Sequence, residues 1–128
     1  MNKLVIDVAS EKIFLTVITK EDIYNITEEN TKINYEKLTL ILKDFLNSNN
    51  QKLEDIQKIY VNRGPGSFAG IRNSLSIVKA INVARNVDYY CYSLEDFKDQ
   101  KDVKYENIPN LCDKFKIKKN LIKPIYLS

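Results

Sequence analysis

Residues 59–86, IYVNRGPGSFAGIRNSLSIVKAINVARN, constrain this chain more than any other stretch. A short apolar strand enters, a glycine-proline turn follows, and a helix of mostly small and apolar residues leaves. Gly64, Pro65, Gly66 and Gly70 are four of the six glycines and prolines in the 128 residues. Proline fixes one backbone dihedral and glycine permits positive φ, so Gly64-Pro65-Gly66 enforces a sharp bend. Ser67 can cap the helix, its hydroxyl accepting from a first-turn amide. Gly70 lets another group approach the helix closely. Read plainly, this is a strand-turn-helix connection. The full string Gly-Pro-Gly-Ser-Phe-x-Gly-x-Arg is much more specific than a lone glycine repeat.

Around it the chain reads as one domain of modest core. Apolar runs at Leu4–Val8, Ile13–Ile18 and Ile23–Thr27, joined by tight turns at Ser10-Glu11 and Glu21-Asp22, predict a three-stranded antiparallel meander. From Asn34 the period becomes helical, with Tyr35, Leu38, Ile41, Leu42, Phe45 and Leu46 on one face. Leu40 falls well off that face and is expected to be exposed. A short turn at 53–56 leads to a fourth strand, Ile59 to Asn62. The second long helix, about Phe68 to Arg85, has Ile71, Leu75 and Val78 on one side and Ile77, Ile81 and Ala84 on another. With Ala80 and Val83 its apolar arc passes half the circumference, more than one sheet face needs. Either two sides are buried within the chain, or one side is a partner surface, and the second reading is preferred. A fifth strand is expected at Val87–Tyr92 and a short helix from Leu94. Helical crossovers make the later strands parallel, so the sheet is mixed.

Composition excludes several functions. Hydrophobic residues are 44% and charged residues 29%, ordinary for a globular chain. No apolar run approaches the roughly 18 residues that span a bilayer. No basic segment followed by an apolar core opens the chain, so no secretory leader is expected. Histidine is absent, and Cys91 and Cys112 have no metal-site spacing. That pattern predicts a reducing cytoplasm and no zinc, and removes the His-assisted routes to nucleophilic catalysis. Net charge is only +3, from 20 bases and 17 acids. Residues 98–123 carry little pattern but eight lysines, five of them between Lys114 and Lys123 with no acid. Their plain reading is a solvated, partly disordered connector. The functional reading is a small phosphate-contacting patch.

The stretch NRGPGSFAGIRNSLSIVKAI resembles the signature of the TsaB (YeaZ) family, proteins of tRNA threonylcarbamoyladenosine biosynthesis. KLVIDVASEKIFLTV at 3–17 is similar to that family's first hairpin. Tyr35 to Leu46 resembles its first helix, with Asn34 where histidine is usual. Ser93-Leu94-Glu95 resembles its motif after strand five, and Pro124 to Leu127 resembles its terminal Pro-x-Tyr-Leu. The likeness covers about 1–97 well and 122–128 weakly. It implies a ribonuclease H-like, actin-like ATPase domain with a mixed five-stranded sheet at 1–97. Residues 98–128 are then a lysine-rich remnant of a second subdomain plus a tail.

The resemblance further implies a non-catalytic partner of the enzyme TsaD, in a heterodimer or heterotetramer. TsaE would engage the same assembly, tRNA would be contacted indirectly, and neither membrane nor cofactor is involved. Docking through the two long helices would make Leu40, Ile71, Arg72, Leu75, Ser76 and Lys79 contacts. The same surface could pair with itself in a homodimer. Gly64, Pro65, Gly66, Ser67, Phe68, Gly70 and Arg72 are the signature positions.

A rival reading is an enzyme: a small Mg-dependent nucleotide phosphohydrolase or kinase-like domain using Asp7 and the 64–70 loop. An aspartate ending a first strand can orient metal-bound water, and helix-start amides can hold an anion. The family's hydroxyls after that aspartate are replaced by Val8 and Ala9, leaving Ser10, and no Walker lysine follows the glycines. Asp7 and Ser10 are therefore candidates for a vestigial phosphate site. The favoured role of Asp7 is to bond a local turn.

Overall fold

The computed structural model describes residues 2–98 and 100–126. Strands β1 (Asn2–Asp7), β2 (Lys12–Ile18) and β3 (Ile23–Glu29) form the antiparallel meander, with Leu4 opposite Val17 and Leu15 opposite Ile26. Helices α1 (Lys32–Glu36) and α2 (Leu38–Ser48) follow. The single helix expected here breaks at Lys37, whose φ of −97° and ψ of 14° leave the helical range. Thr31 caps α1 by accepting from the Asn34 amide. Strand β4 (Ile56–Asn62) pairs parallel with β1, and α3 (Phe68–Arg85) crosses over to β5 (Asp88–Tyr92), which pairs parallel with β4. The sheet order is β3-β2-β1-β4-β5, the mixed five-stranded arrangement that the element order implies. Among the described residues no helix is long and apolar enough to cross a membrane.

Period-two alternation sends side chains to two different cores. Leu4, Ile6, Leu15, Val17, Ile59 and Val61 face α2 and α3, where Leu38, Leu42, Phe45, Ile71, Val78 and Ile81 meet them. Val5, Tyr60 and Tyr92 face the other way. That second face is covered by the segment read from sequence as a solvated connector. Helix α4 (Ile108–Lys114), flanked by 3₁₀ turns at Leu94–Asp96 and Tyr105–Asn107, buries Phe97, Ile108 and Cys112 against it. The central strands read as unbroken apolar runs because both faces are buried. The segment's own apolar residues are too widely spaced to announce a helix.

The tail then returns along the sheet. Asn120 exchanges bonds with Tyr89, its amide donating to the Tyr89 carbonyl at 2.7 Å and its side-chain oxygen accepting from the Tyr89 amide at 3.0 Å. Further on, the Ile125 amide donates to the Arg63 carbonyl at 2.7 Å, and Tyr126 bridges Gly66 in parallel sense. The final segment, whose Pro124 to Leu127 carries the motif likeness, thus adds beside the signature loop as far as Tyr126, while Leu127 lies outside the described residues.

Burial fixes the chain's alkaline behaviour. It pushes both thiols, Cys91 and Cys112, from 9.0 up to about 12, and raises the phenols of Tyr60 and Tyr92. The folded protein keeps these protons while the unfolded chain releases them, so stability is full below about pH 9 and declines as pH climbs towards the folded values. Each such proton contributes up to about 1.4 kcal/mol per pH unit. Urea midpoints should therefore fall between about pH 9 and 11, and a flat profile there would contradict the burial.

Candidate functional site

The signature loop leaves the carboxyl end of β4 beside the carboxyl end of β1. Arg63 anchors it by accepting Ile125 at its carbonyl and by its guanidinium, which donates to the Lys123 carbonyl at 3.1 Å and to Asp96 at 2.8 Å. Asp96 also accepts the Ser93 amide at 2.8 Å, so the Ser93-Leu94-Glu95 motif holds the partner of Arg63 in place. Asn62, 6% exposed, accepts the Gly64 amide at 2.8 Å. Gly64 has φ +110°, a conformation closed to most side chains. Ser67 caps α3 as expected, accepting from the Gly70 amide at 3.3 Å.

What the glycines make room for is the chain itself. A side-chain carbon at Gly66 would strike the carbonyl of Ala9, at Gly70 that of Val8, and at Gly64 that of Ile125. The Ser67 amide donates to the Ala9 carbonyl at 3.0 Å. Two loop amides placed to hold an anion, those of Gly64 and Ser67, are thus committed to Asn62 and Ala9. Asp7, 5% exposed, is committed too. One carboxylate oxygen accepts the Ala9 amide at 3.0 Å, the local turn expected of it, and the other accepts the Tyr105 hydroxyl at 2.6 Å. Burial, then the Asp7 charge, raises the Tyr105 phenol, so it stays protonated and donating. Ser10 is exposed and contributes its carbonyl, not its hydroxyl, accepting from Asn30 at 2.6 Å. The structure does not bring it to Asp7 as half of a phosphate site.

Tyr105 lies 98 residues from Asp7 in sequence, and no local signal could have paired them. Its ring also packs on Phe14, centroids 5.1 Å apart. Replacing Tyr105 by Phe keeps that ring contact but leaves a buried carboxylate oxygen without its donor, a cost of about 1–3 kcal/mol. A lowered urea midpoint should report it, and an unchanged one would mean water replaces the hydroxyl freely.

The second candidate is the outer surface of α2 and α3. Leu40 is 53% exposed, as its position off the apolar face predicts. Arg72, Ser76 and Lys79 also face outward, Arg72 lying over the Phe68 ring at 6.0 Å. Ile71 does not. It is 0% exposed and Leu75 only 4%, so both belong to the core beneath α3 rather than to a contact surface. Helical period put them on one side correctly, but the sheet lies on that side. The apolar residues α3 turns outward are Phe68, Ala80, Val83 and Ala84, with Val83 75% exposed. A groove of about 560 Å³ runs between the two helices over Leu42, Leu46, Ile77 and Ala80, rimmed by Lys43 and Arg85. A second, shallow groove on the other flank of α3 is bounded by Ile122 and Tyr126 of the tail.

A meander followed by parallel crossovers, with a glycine loop beside the ends of its two central strands, defines a class: an actin-like ATPase, ribonuclease H-like domain. A family model described as "TsaD: tRNA N6-adenosine threonylcarbamoyltransferase" matches residues 27–93, just over half of the chain. Two relatives named tRNA threonylcarbamoyladenosine biosynthesis protein TsaB, both from Buchnera aphidicola, are 26% identical over 98 residues and 27% over 86. These matches cover 77% and 67% of this chain but 47% and 39% of the relatives. The solved structure of YeaZ from Pseudomonas aeruginosa superposes with a TM-score of 0.67 at 21% identity, over 72% of this chain and 43% of that one, and shows the shared fold. The chain belongs to that family, and within it to the TsaB/YeaZ proteins. It spans less than half the length of the relatives it matches.

Proposed function

We propose that the chain is a non-catalytic partner subunit of TsaD in the formation of N6-threonylcarbamoyladenosine in tRNA, next to the anticodon. TsaE joins through the same assembly. The observation that carries this reading is the outer surface of α2 and α3, where Leu40, Ala80 and Val83 are exposed and an apolar groove with a charged rim runs between the two helices. An apolar centre with a polar border is the usual anatomy of a protein interface, and on this chain nothing described covers it. The rival reading, a nucleotide phosphohydrolase or kinase-like enzyme, has less support. Asp7 is held by Ala9 and Tyr105, and the glycine cradle is filled by the protein's own carbonyls.

The test is co-expression with TsaD from the same organism, with the mass of the eluted species read by light scattering. A one-to-one or two-to-two complex is expected. A well-folded chain that elutes without TsaD would overturn the proposal.

A further inference from the structure

The chain's positive charge is concentrated in one place. Lys114, Lys116, Lys118, Lys119 and Lys123 give residues 114–123 a charge of +5, while the remaining 15 bases and 17 acids sum to −2. All five lysines are exposed. They are not on a loose tail. Lys114 ends α4, whose Cys112 is 1% exposed in the second core. The Ile117 amide donates to the Cys112 carbonyl at 2.9 Å, and Asn120 is clamped to β5 by its two bonds with Tyr89 and by donating to Asp88 at 2.9 Å. Lys116 and Asn120 both take left-handed backbone, φ 55° and 59°, which turns the segment between these anchors. Lys58 adds a sixth cation nearby, over the half-buried Tyr90 ring at 5.8 Å, and the backbone of Lys119 pairs with that of Tyr90 in an isolated antiparallel bridge. Asp88 is already paired with Lys119 at 3.6 Å and with Asn120, and Asp113, next to Lys114, is exposed.

We propose that this pinned lysine segment binds the phosphate backbone of RNA. Cations held on a fixed backbone lose less freedom on meeting a polyanion than cations on a disordered tail. Beyond Lys114 the segment is not helical, so it cannot lay one apolar face into a bilayer as an amphipathic helix does. Lysines strung along an irregular edge instead suit a ligand that repeats its charge. Four or five neutralised phosphates give a logarithmic salt slope of about −3 for single-stranded RNA. The choice of RNA rests on the function proposed above. The chain is assayed here without TsaD, so failure of RNA binding and failure of the partner reading are separate results.

The experiment is fluorescence anisotropy of a labelled single-stranded RNA titrated with the full chain, between about 50 and 200 mM salt. The variant K114Q/K116Q/K118Q/K119Q should bind at least about tenfold more weakly and show a shallower slope. The control K12Q/K20Q/K32Q/K37Q removes the same charge from the β2–β3 edge of the sheet and from α1 and its C-cap, away from β5, and should bind like the wild type. Equal loss in both variants would mean that only net charge matters and would overturn the site. So would the absence of salt-dependent binding in the wild type, or capture by anionic vesicles but not by RNA.

Discussion

A Gly66→Ala variant is expected to lose at least about 3 kcal/mol of stability, a large share of what a domain this size possesses. The added methyl would meet the carbonyl carbon of Ala9 at 2.8 Å and its side-chain carbon at 2.9 Å, and would run into the carbonyl oxygen between them. Relief by movement is blocked on both sides. The Ser67 amide ties the loop to that same Ala9 carbonyl, and the bridge from Gly66 to Tyr126 holds it from behind. Backing away breaks that hydrogen bond and frees the tail, and staying put forces overlap between backbone groups that have no rotamer to change. Urea denaturation followed by circular dichroism measures the loss. A wild-type midpoint would show that the loop stands further from β1 than the structure places it. The same argument explains why the glycine string is needed without any ligand in the loop: the atoms it must accommodate are carbonyls of the chain.

Leu40→Glu and Leu75→Glu should fail in opposite ways. Leu40 is half exposed, so glutamate there leaves the fold intact and places a charge in the middle of the proposed TsaD contact. Losing a buried leucine costs about 1.5–3 kcal/mol and an unpaired charge costs more, so TsaD affinity should fall by at least about thirtyfold. Leu75, 4% exposed, lies in the first core, and a carboxylate there should unfold the domain. Circular dichroism separates the two outcomes, and pull-down with TsaD completes the comparison. A folded Leu40→Glu protein that still co-purifies with TsaD at wild-type yield would remove α2 from the docking surface. If Leu75→Glu folds normally, then α3 is rotated from its described position.

These contrasts bear on the choice between scaffold and enzyme. Among the described residues no three His, Cys, Asp or Glu side chains converge as a metal site, and the one suggestive aspartate is bonded at both oxygens. The two proposed contact surfaces, the α2–α3 face and the lysine segment, lie on different elements, so the two proposals do not exclude each other.

Much of this was legible in the sequence, and it was the local part. The boundaries of α3, the Ser67 cap, the meander, the parallel crossovers and the exposure of Leu40 all follow from periodicity, turn chemistry and capping, which act over a few residues. Folding decided the remainder. Helical period grouped Ile71 and Leu75 on one side of α3 but could not say that the sheet lies there, because that depends on strands up to some seventy residues away. Residues 98–123 gave no period, yet residues 103–117 cover the second face of the central strands, because a few apolar residues suffice when Val5, Tyr60 and Tyr92 already await them. The pairing of Asp7 with Tyr105 and the carbonyls packed against the three glycines are contacts between distant segments. Sequence marks where the backbone must bend or come close, and only the tertiary structure supplies what it comes close to.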